Sequence, residues 1–84
     1  MDLPSERRQL RVVADPDPGA VSRVVERFHN LNIVPNRIIA EHADDDLMYI
    51  TVDVCGVPEE QLTAVVGKLL QSPSVISALW HQLD

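Results

Sequence analysis

One cysteine, three glycines and three aromatic residues are all that this 84-residue chain holds of those types, and each scarcity removes a class of function. The lone Cys55 allows neither an internal disulfide nor a cysteine-based zinc site. At the end of an apolar run it reads as a small buried hydrophobe. With one Trp, one Tyr and one Phe, there are too few rings to stack a row of bases across a sheet. Basic charge is short as well: seven Lys and Arg stand against thirteen Asp and Glu, for a net charge of −6. Phosphate binding needs clustered cations that release counterions. Three of the seven, Arg7, Arg8 and Arg11, gather near the N-terminal end, so nucleic acid is not an expected partner. No apolar run reaches the roughly 20 residues of a membrane span, and no secretory leader pattern is present. The expectation is a cytoplasmic protein with no membrane partner.

What is present is a regular alternation of patterns. Residues 1–7 read as a flexible tail and residues 8–84 as one domain. Gln9–Ala14 alternates as a strand, with Leu10 and Val12 on one face and Arg11 and Val13 on the other. A Pro-rich turn, Asp15-Pro16-Asp17-Pro18-Gly19, follows. Ala20, Val21, Val24, Val25, Phe28 and Leu31 then recur at helical spacing and predict one apolar stripe. Asn32 suits a left-handed helix cap.

Ile33–Ala43 reads as a second strand that Pro35 confines to a sheet edge, because proline donates nothing to a ladder. Asp44-Asp45-Asp46 forms a hairpin tip, and Leu47–Val54 alternates with Met48, Ile50, Val52 and Val54 inward. Gly56-Val57-Pro58 starts a second helix. Glu59 and Glu60 suit its first turn, and its stripe runs through Leu62, Val65, Val66, Leu69 and Leu70. Val75–Trp80 supplies a last strand. The order β-α-β-β-α-β predicts an α+β, ferredoxin-like sandwich: a four-stranded antiparallel sheet with both helices on one face.

Catalytic and metal chemistry find little footing. The three aspartates at the hairpin tip lack the glycine and glutamate spacing of a calcium loop. His29, His42 and His81 fall on different elements, and Ser22 has no evident base. Two enzyme-like or nucleic-acid readings of this topology also fail. An acylphosphatase loop would need an arginine where this chain has Asp15 and Asp17, and an RNA-recognition sheet would need more than Tyr49 and Trp80. Trp80 reads as a lid over a sheet edge.

The run DPDPGAVSRVVERFHNLNI, with the hairpin, helix and final strand after it, resembles an ACT domain over roughly residues 9–80. Within that family it is most similar to the small regulatory subunit of acetohydroxyacid (acetolactate) synthase. PGAVSRVVERF is the nearest stretch, where that family shows a Gly-Ala-Leu-Ser-Arg-Val run. The resemblance implies a non-catalytic domain without a cofactor of its own. It would bind an amino acid at a dimer interface beside the first strand–helix loop and regulate a large thiamine-diphosphate catalytic subunit in branched-chain amino acid synthesis. It directs attention to Asp15, Asp17, Gly19 and Ala20 before and at the helix start, and to Asn32, Val34 and Asn36 after its end. Where valine-binding members place an amide or acid three residues before the glycine, this chain has Pro16, with acids on either side. Val34 stands where they carry a second asparagine.

Two readings of the loop stay open. The N–H groups of Gly19 and Ala20 could hold a ligand carboxylate while Asp15 or Asp17 holds its ammonium. Alternatively, DPDPG is a rigid turn with Asp17 capping the helix from just outside. The exposed sheet face or the edge strand, with Arg37, Ile38, Ile39 and Glu41, is the candidate interface, and an isologous homodimer is the default arrangement. Two alternatives accompany the synthase reading: a stand-alone amino-acid-binding ACT protein serving another enzyme, and a ligand-free ferredoxin-like interaction module.

Overall fold

A computed structural model describes residues 6–83. Six elements follow in the expected order: β1 (Arg7–Ala14), α1 (Ala20–Asn30), β2 (Arg37–His42), β3 (Met48–Cys55), α2 (Glu59–Leu69) and β4 (Val75–Leu83). They form one antiparallel sheet in the order β2-β3-β1-β4. This is the ferredoxin-like, ACT-type βαββαβ arrangement. It follows from two right-handed crossovers, each carrying a helix to the same face.

The register fixes which side chains meet. Leu10 sits opposite Val52 and Trp80, and Val12 opposite Ile50 and Ala78, so the even residues of β1 share a face with those partners. Helices α1 and α2 cover that face with Ala20, Val24 and Phe28 and with Leu62, Val65 and Leu69. Together these side chains make a single dry core. The odd residues of β1 and β3 face the other way, onto an uncovered side of the sheet.

Several boundaries differ from the sequence reading. The proposed tail lies mostly outside the described residues, but Arg7 belongs to β1, paired with Cys55 and Leu83. The second strand starts at Arg37, not Ile33: residues 33–36 are a connecting segment in which Ile33 packs against the core. Pro35 and its neighbours cannot supply a regular ladder there. Strand β4 continues past Trp80 to Leu83.

The helical stripes are narrower than their spacing implied. Val25, Leu31 and Leu70 are exposed, because a helix on a sheet buries only the narrow arc facing it. Cys55 is exposed too. It shares the parity of Tyr49, Thr51 and Asp53, so it lies on the uncovered face and not in the core.

Arg8 is the unexpected member of the buried side. It has the parity of Leu10, Val12 and Ala14 and is only 5% exposed. Its guanidinium donates to the Val57 carbonyl and to the Glu6 carboxylate, with Glu59 at 3.5 Å. It also lies over the Trp80 ring, 5.6 Å from the centroid. Trp80 thus packs against the core from the outer strand as one side of a cation–π clamp.

Candidate functional site at the first strand–helix loop

The loop between β1 and α1 is built around Asp17. One carboxylate oxygen accepts the Gly19 N–H at 2.9 Å, and the other pairs with Arg23 Nη1 at 2.8 Å. The Asp17 carbonyl accepts the Ala20 N–H at 2.9 Å. The Gly19 amide and then the Arg23 guanidinium hold the Asp17 carboxyl below its ordinary range, since both favour the charged form. The same Arg23 nitrogen reaches Ser74 Oγ at 3.2 Å, and Ser74 lies 3.2 Å from Ser72 Oγ. The Ser74 carbonyl accepts the Asp15 N–H at 2.8 Å. The loop is therefore fastened to the turn before β4.

The consequence for ligand chemistry is specific. The two amides expected to greet a ligand carboxylate, those of Gly19 and Ala20, are both used by Asp17. A carboxylate already sits at the positive end of α1, and it belongs to the chain itself. The first-turn amides of Val21 and Ser22 and the exposed Asp15 carboxylate are what the loop still offers. Gly19 has φ −87° and ψ 0°, an ordinary helical conformation. A Cβ there would meet Arg23 and Asp17 side-chain atoms at 3.5 Å or more, which is normal contact. Neither backbone strain nor packing inside the protomer requires glycine at this position. Ala20 is buried, so only its backbone borders the loop.

Asn32, Val34 and Asn36 lie at the opposite end of α1. Asn32 has φ +57°; its N–H donates to the His29 carbonyl and that of Ile33 to the Phe28 carbonyl, both at 3.0 Å. These two bonds close the helix in a Schellman pattern. Val34 is 86% exposed. Asn36 donates its N–H to the Asp53 carbonyl at 2.8 Å, which starts the β2–β3 ladder. An eleven-residue helix is about 16 Å long. Within one protomer the two groups therefore stand at opposite ends of α1.

The edge residues Arg37, Ile38, Ile39 and Glu41 are all exposed, as is the whole of β2, which pairs only with β3. Ile38 faces the helix side with Val52, whereas Arg37, Ile39 and Glu41 face the uncovered side with Asp53, Thr51 and Tyr49. On its flank away from α2, α1 presents Val21, Val25 and His29 around a shallow hollow. The other flank of α1, with Arg27 and Leu31, faces α2.

Arg23 and Ser74 are the loop residues that sequence reasoning missed. Arg23 reads as one more polar residue on a helix face, and its role depends on a serine fifty-one residues later. The hairpin tip is similarly self-satisfied. Asp45 accepts the Leu47 N–H at 3.1 Å and the Tyr49 hydroxyl at 2.6 Å, and His42 lies 2.6 Å from Asp46. No group of three or more His, Cys, Asp or Glu among the described residues is placed to hold a metal ion. No helix among them is long and apolar enough to cross a membrane.

The chain matches no family model and no curated protein. Solved structures do resemble it. The C-terminal domain of the MgtC protein from Mycobacterium tuberculosis superposes with a TM-score of 0.78 at 23% identity, over 99% of this chain and 93% of that one. The ACT domain of GTP pyrophosphokinase from Chlorobium tepidum gives 0.75 at 14% identity, over 92% and 99%. The regulatory subunit of aspartate kinase from Thermus thermophilus, ligand free, gives 0.69 at 19% identity, over 90% of this chain and 50% of that subunit. At these identities the likeness is one of fold. ACT domains are among the neighbours.

Proposed function

We propose that this chain is a non-catalytic regulatory subunit that works as a two-fold dimer, with acetohydroxyacid synthase as the enzyme it serves. The observation that carries the reading is the division of the candidate ligand residues between the two ends of α1. One end holds Asp15 and the loop around Gly19; the other holds Asn32, Val34 and Asn36. A second copy joined along the exposed edge β2, running antiparallel to the first, would set one protomer's loop beside the other's α1–β2 segment. Ile38 and the Val21–Val25 flank of α1 would be covered by the same contact. Glycine at position 19, which nothing inside the protomer requires, then leaves room for a ligand or the second chain.

Several features support this reading. The fold is shared with the ACT domain of a GTP pyrophosphokinase and with the regulatory subunit of an aspartate kinase. The PGAVSRVVERF stretch resembles the acetohydroxyacid synthase small subunit over the loop itself. In the proposed mechanism the dimer docks on the catalytic subunit and favours its active state. An amino acid bound between protomers shifts that preference by its differential affinity for the two states.

A second reading is favoured by one observation, the occupation of the Gly19 and Ala20 amides by Asp17. The loop is complete without a ligand, so the chain would activate its enzyme and leave sensing aside. One assay separates the two. The rate of the catalytic subunit from the same organism is measured with and without this chain, then with valine, leucine and isoleucine in turn. A raised rate that an amino acid reverses supports sensing. A raised rate indifferent to all three supports activation alone, and an unchanged rate sinks the assignment of the enzyme.

A further inference from the structure

Strand β2 lacks most of the devices that keep a sheet edge from pairing. It runs from Arg37 to His42 in continuous register with β3, without a bulge, a lysine or a proline, and every residue on it is exposed. Ile38 and Ile39 are large aliphatic groups, 38% and 45% exposed. The charge along the strand is polarised. Arg37, Ile39 and Glu41 share the open side of the sheet, so that side reads cation, apolar group, acid in order. Neither Arg37 nor Glu41 makes an ion pair with another described residue.

The backbone restricts how a second copy can join this edge. The Ala43 N–H donates to the Leu47 carbonyl at 2.9 Å, one step beyond the His42–Met48 pair. Hydrogen-bonded pairs recur at every second residue of an antiparallel ladder. The odd residues of β2 therefore bond to β3, while Ile38, Ala40 and His42 turn their N–H and C=O groups to the free edge. An antiparallel copy must match outward groups with outward groups, so even residues face even and odd face odd. Pairing about Arg37 or Glu41 sets like charges opposite each other. Pairing about Ile38 sets Arg37 against Ile39, and pairing about Ala40 sets Ile39 against Glu41. Only a two-fold at Ile39 places each Arg37 opposite a Glu41.

We infer that two copies of this chain pair antiparallel about Ile39, with Arg37 of each copy held by Glu41 of the other. The inference rests on the edge dimer proposed above and supplies its register and its selectivity. Ile39 then meets Ile39 on the two-fold, and Ile38 lies opposite Ala40 on the helix side. The Arg37–Glu41 and Ile39–Ile39 pairs fall at the positions without hydrogen bonds, where Cα atoms approach to about 4.5 Å and side chains are closest. The two reciprocal ion pairs bracket the apolar centre and disfavour every shifted register. The same register sets Asn36 of the second copy opposite His42. His42 shares a row with Met48 and Ala14, so that Asn36 lies at the end of the sheet where the Asp15–Gly19 loop begins.

The test is a charge exchange on the full chain. Dimer dissociation constants are measured by sedimentation for the wild type, Arg37→Glu, Glu41→Arg, the double variant carrying both changes, and an equimolar mixture of the two single variants. Circular dichroism on each confirms that the fold is kept. Each single variant sets like charges opposite each other twice, so its dimer should weaken by about tenfold or more. The double variant should recover the wild-type constant to within a few-fold. In the mixture, each chain finds its complement only in the other variant, so heterodimers should form with near wild-type affinity. Single variants that dimerise like the wild type overturn the register and leave the edge dimer standing. So do weakened variants that neither the double change nor mixing restores. A wild type that is monomeric throughout overturns the edge dimer, and the register with it.

Discussion

Asp17 and Arg23 close the first strand–helix loop from opposite directions: the carboxylate reaches the guanidinium at 2.8 Å while its other oxygen takes the Gly19 N–H. The pair makes the entry to α1 a fixed structure before any ligand arrives. Both partners are partly exposed, so solvent screens the ion pair and the geometry matters more than the charge.

That geometry has a pH signature. The folded Asp17 carboxyl lies below its usual 3.8. A group whose folded pKa is depressed stabilises the fold above its unfolded pKa, and the contribution is lost as pH falls through the folded value. Asp17→Asn should therefore lower the melting temperature at neutral pH, and the gap from wild type should close as pH drops below about 4. Melting curves across that range check it; a gap that persists unchanged in acid would assign the effect to something other than the charged Asp17.

Tyr49 gives the opposite sign. Its hydroxyl donates to Asp45, and that bond, with a smaller part from desolvation, raises its pKa above the usual 10.0. The stabilisation is present below 10 and is lost as pH rises through the folded value. Because Tyr49 is the chain's only tyrosine, an ultraviolet titration reads it alone. The midpoint should lie above that of free tyrosine, and Asp45→Asn should bring it back. Equal midpoints in the two proteins would mean that the bond is absent in solution.

Much of the fold could be read from the chain because each element pairs a clear period with a clear terminator. Val24 and Phe28, for example, share one helix face, and Ile50, Val52 and Val54 one sheet face. What escaped is what depends on distant partners or on parity followed one step further. Arg8 has the parity of Leu10, yet a charge normally argues for solvent. Only Val57, Glu59 and Trp80, brought together by the fold, make its burial tolerable. Cys55 has the parity of Asp53, a signal that was available and pointed outward. In the loop, the Asp17 cap could be anticipated from the sequence, whereas its fastening through Arg23 to Ser74 spans fifty-one residues and leaves no local trace.

Arg8 can be tested through the one tryptophan. Arg8→Met keeps an apolar stem but leaves the buried Val57 carbonyl without its donor, a loss of about 2–3 kcal/mol. Denaturant unfolding followed by Trp80 fluorescence should show that loss, together with a shifted native emission. A stability within error of wild type would show that the clamp is dispensable.

Gly19→Ala separates the fold from the site. The backbone there is helical and a methyl group has room, so stability should change by no more than about 1 kcal/mol, the difference between Gly and Ala at a helix cap. If a ligand or second chain approaches this position, the same variant should weaken the amino-acid response of the activated enzyme or the dimer itself. A variant indistinguishable from wild type in stability, response and assembly would remove Gly19 from the site.

In the proposed dimer the two ends of α1 meet only between protomers, across the exposed edge β2. Sedimentation over a concentration series, for the wild type and for Ile38→Lys, tests it most directly. The expected result is a wild-type dimer, made tighter by whichever amino acid the interface accepts, because a ligand bound only by the dimer drives association by mass action. Ile38→Lys should dissociate to folded monomers, since a lysine on the edge disfavours strand pairing. A wild type that stays monomeric at every concentration, or a dimer that Ile38→Lys leaves intact, would contradict it.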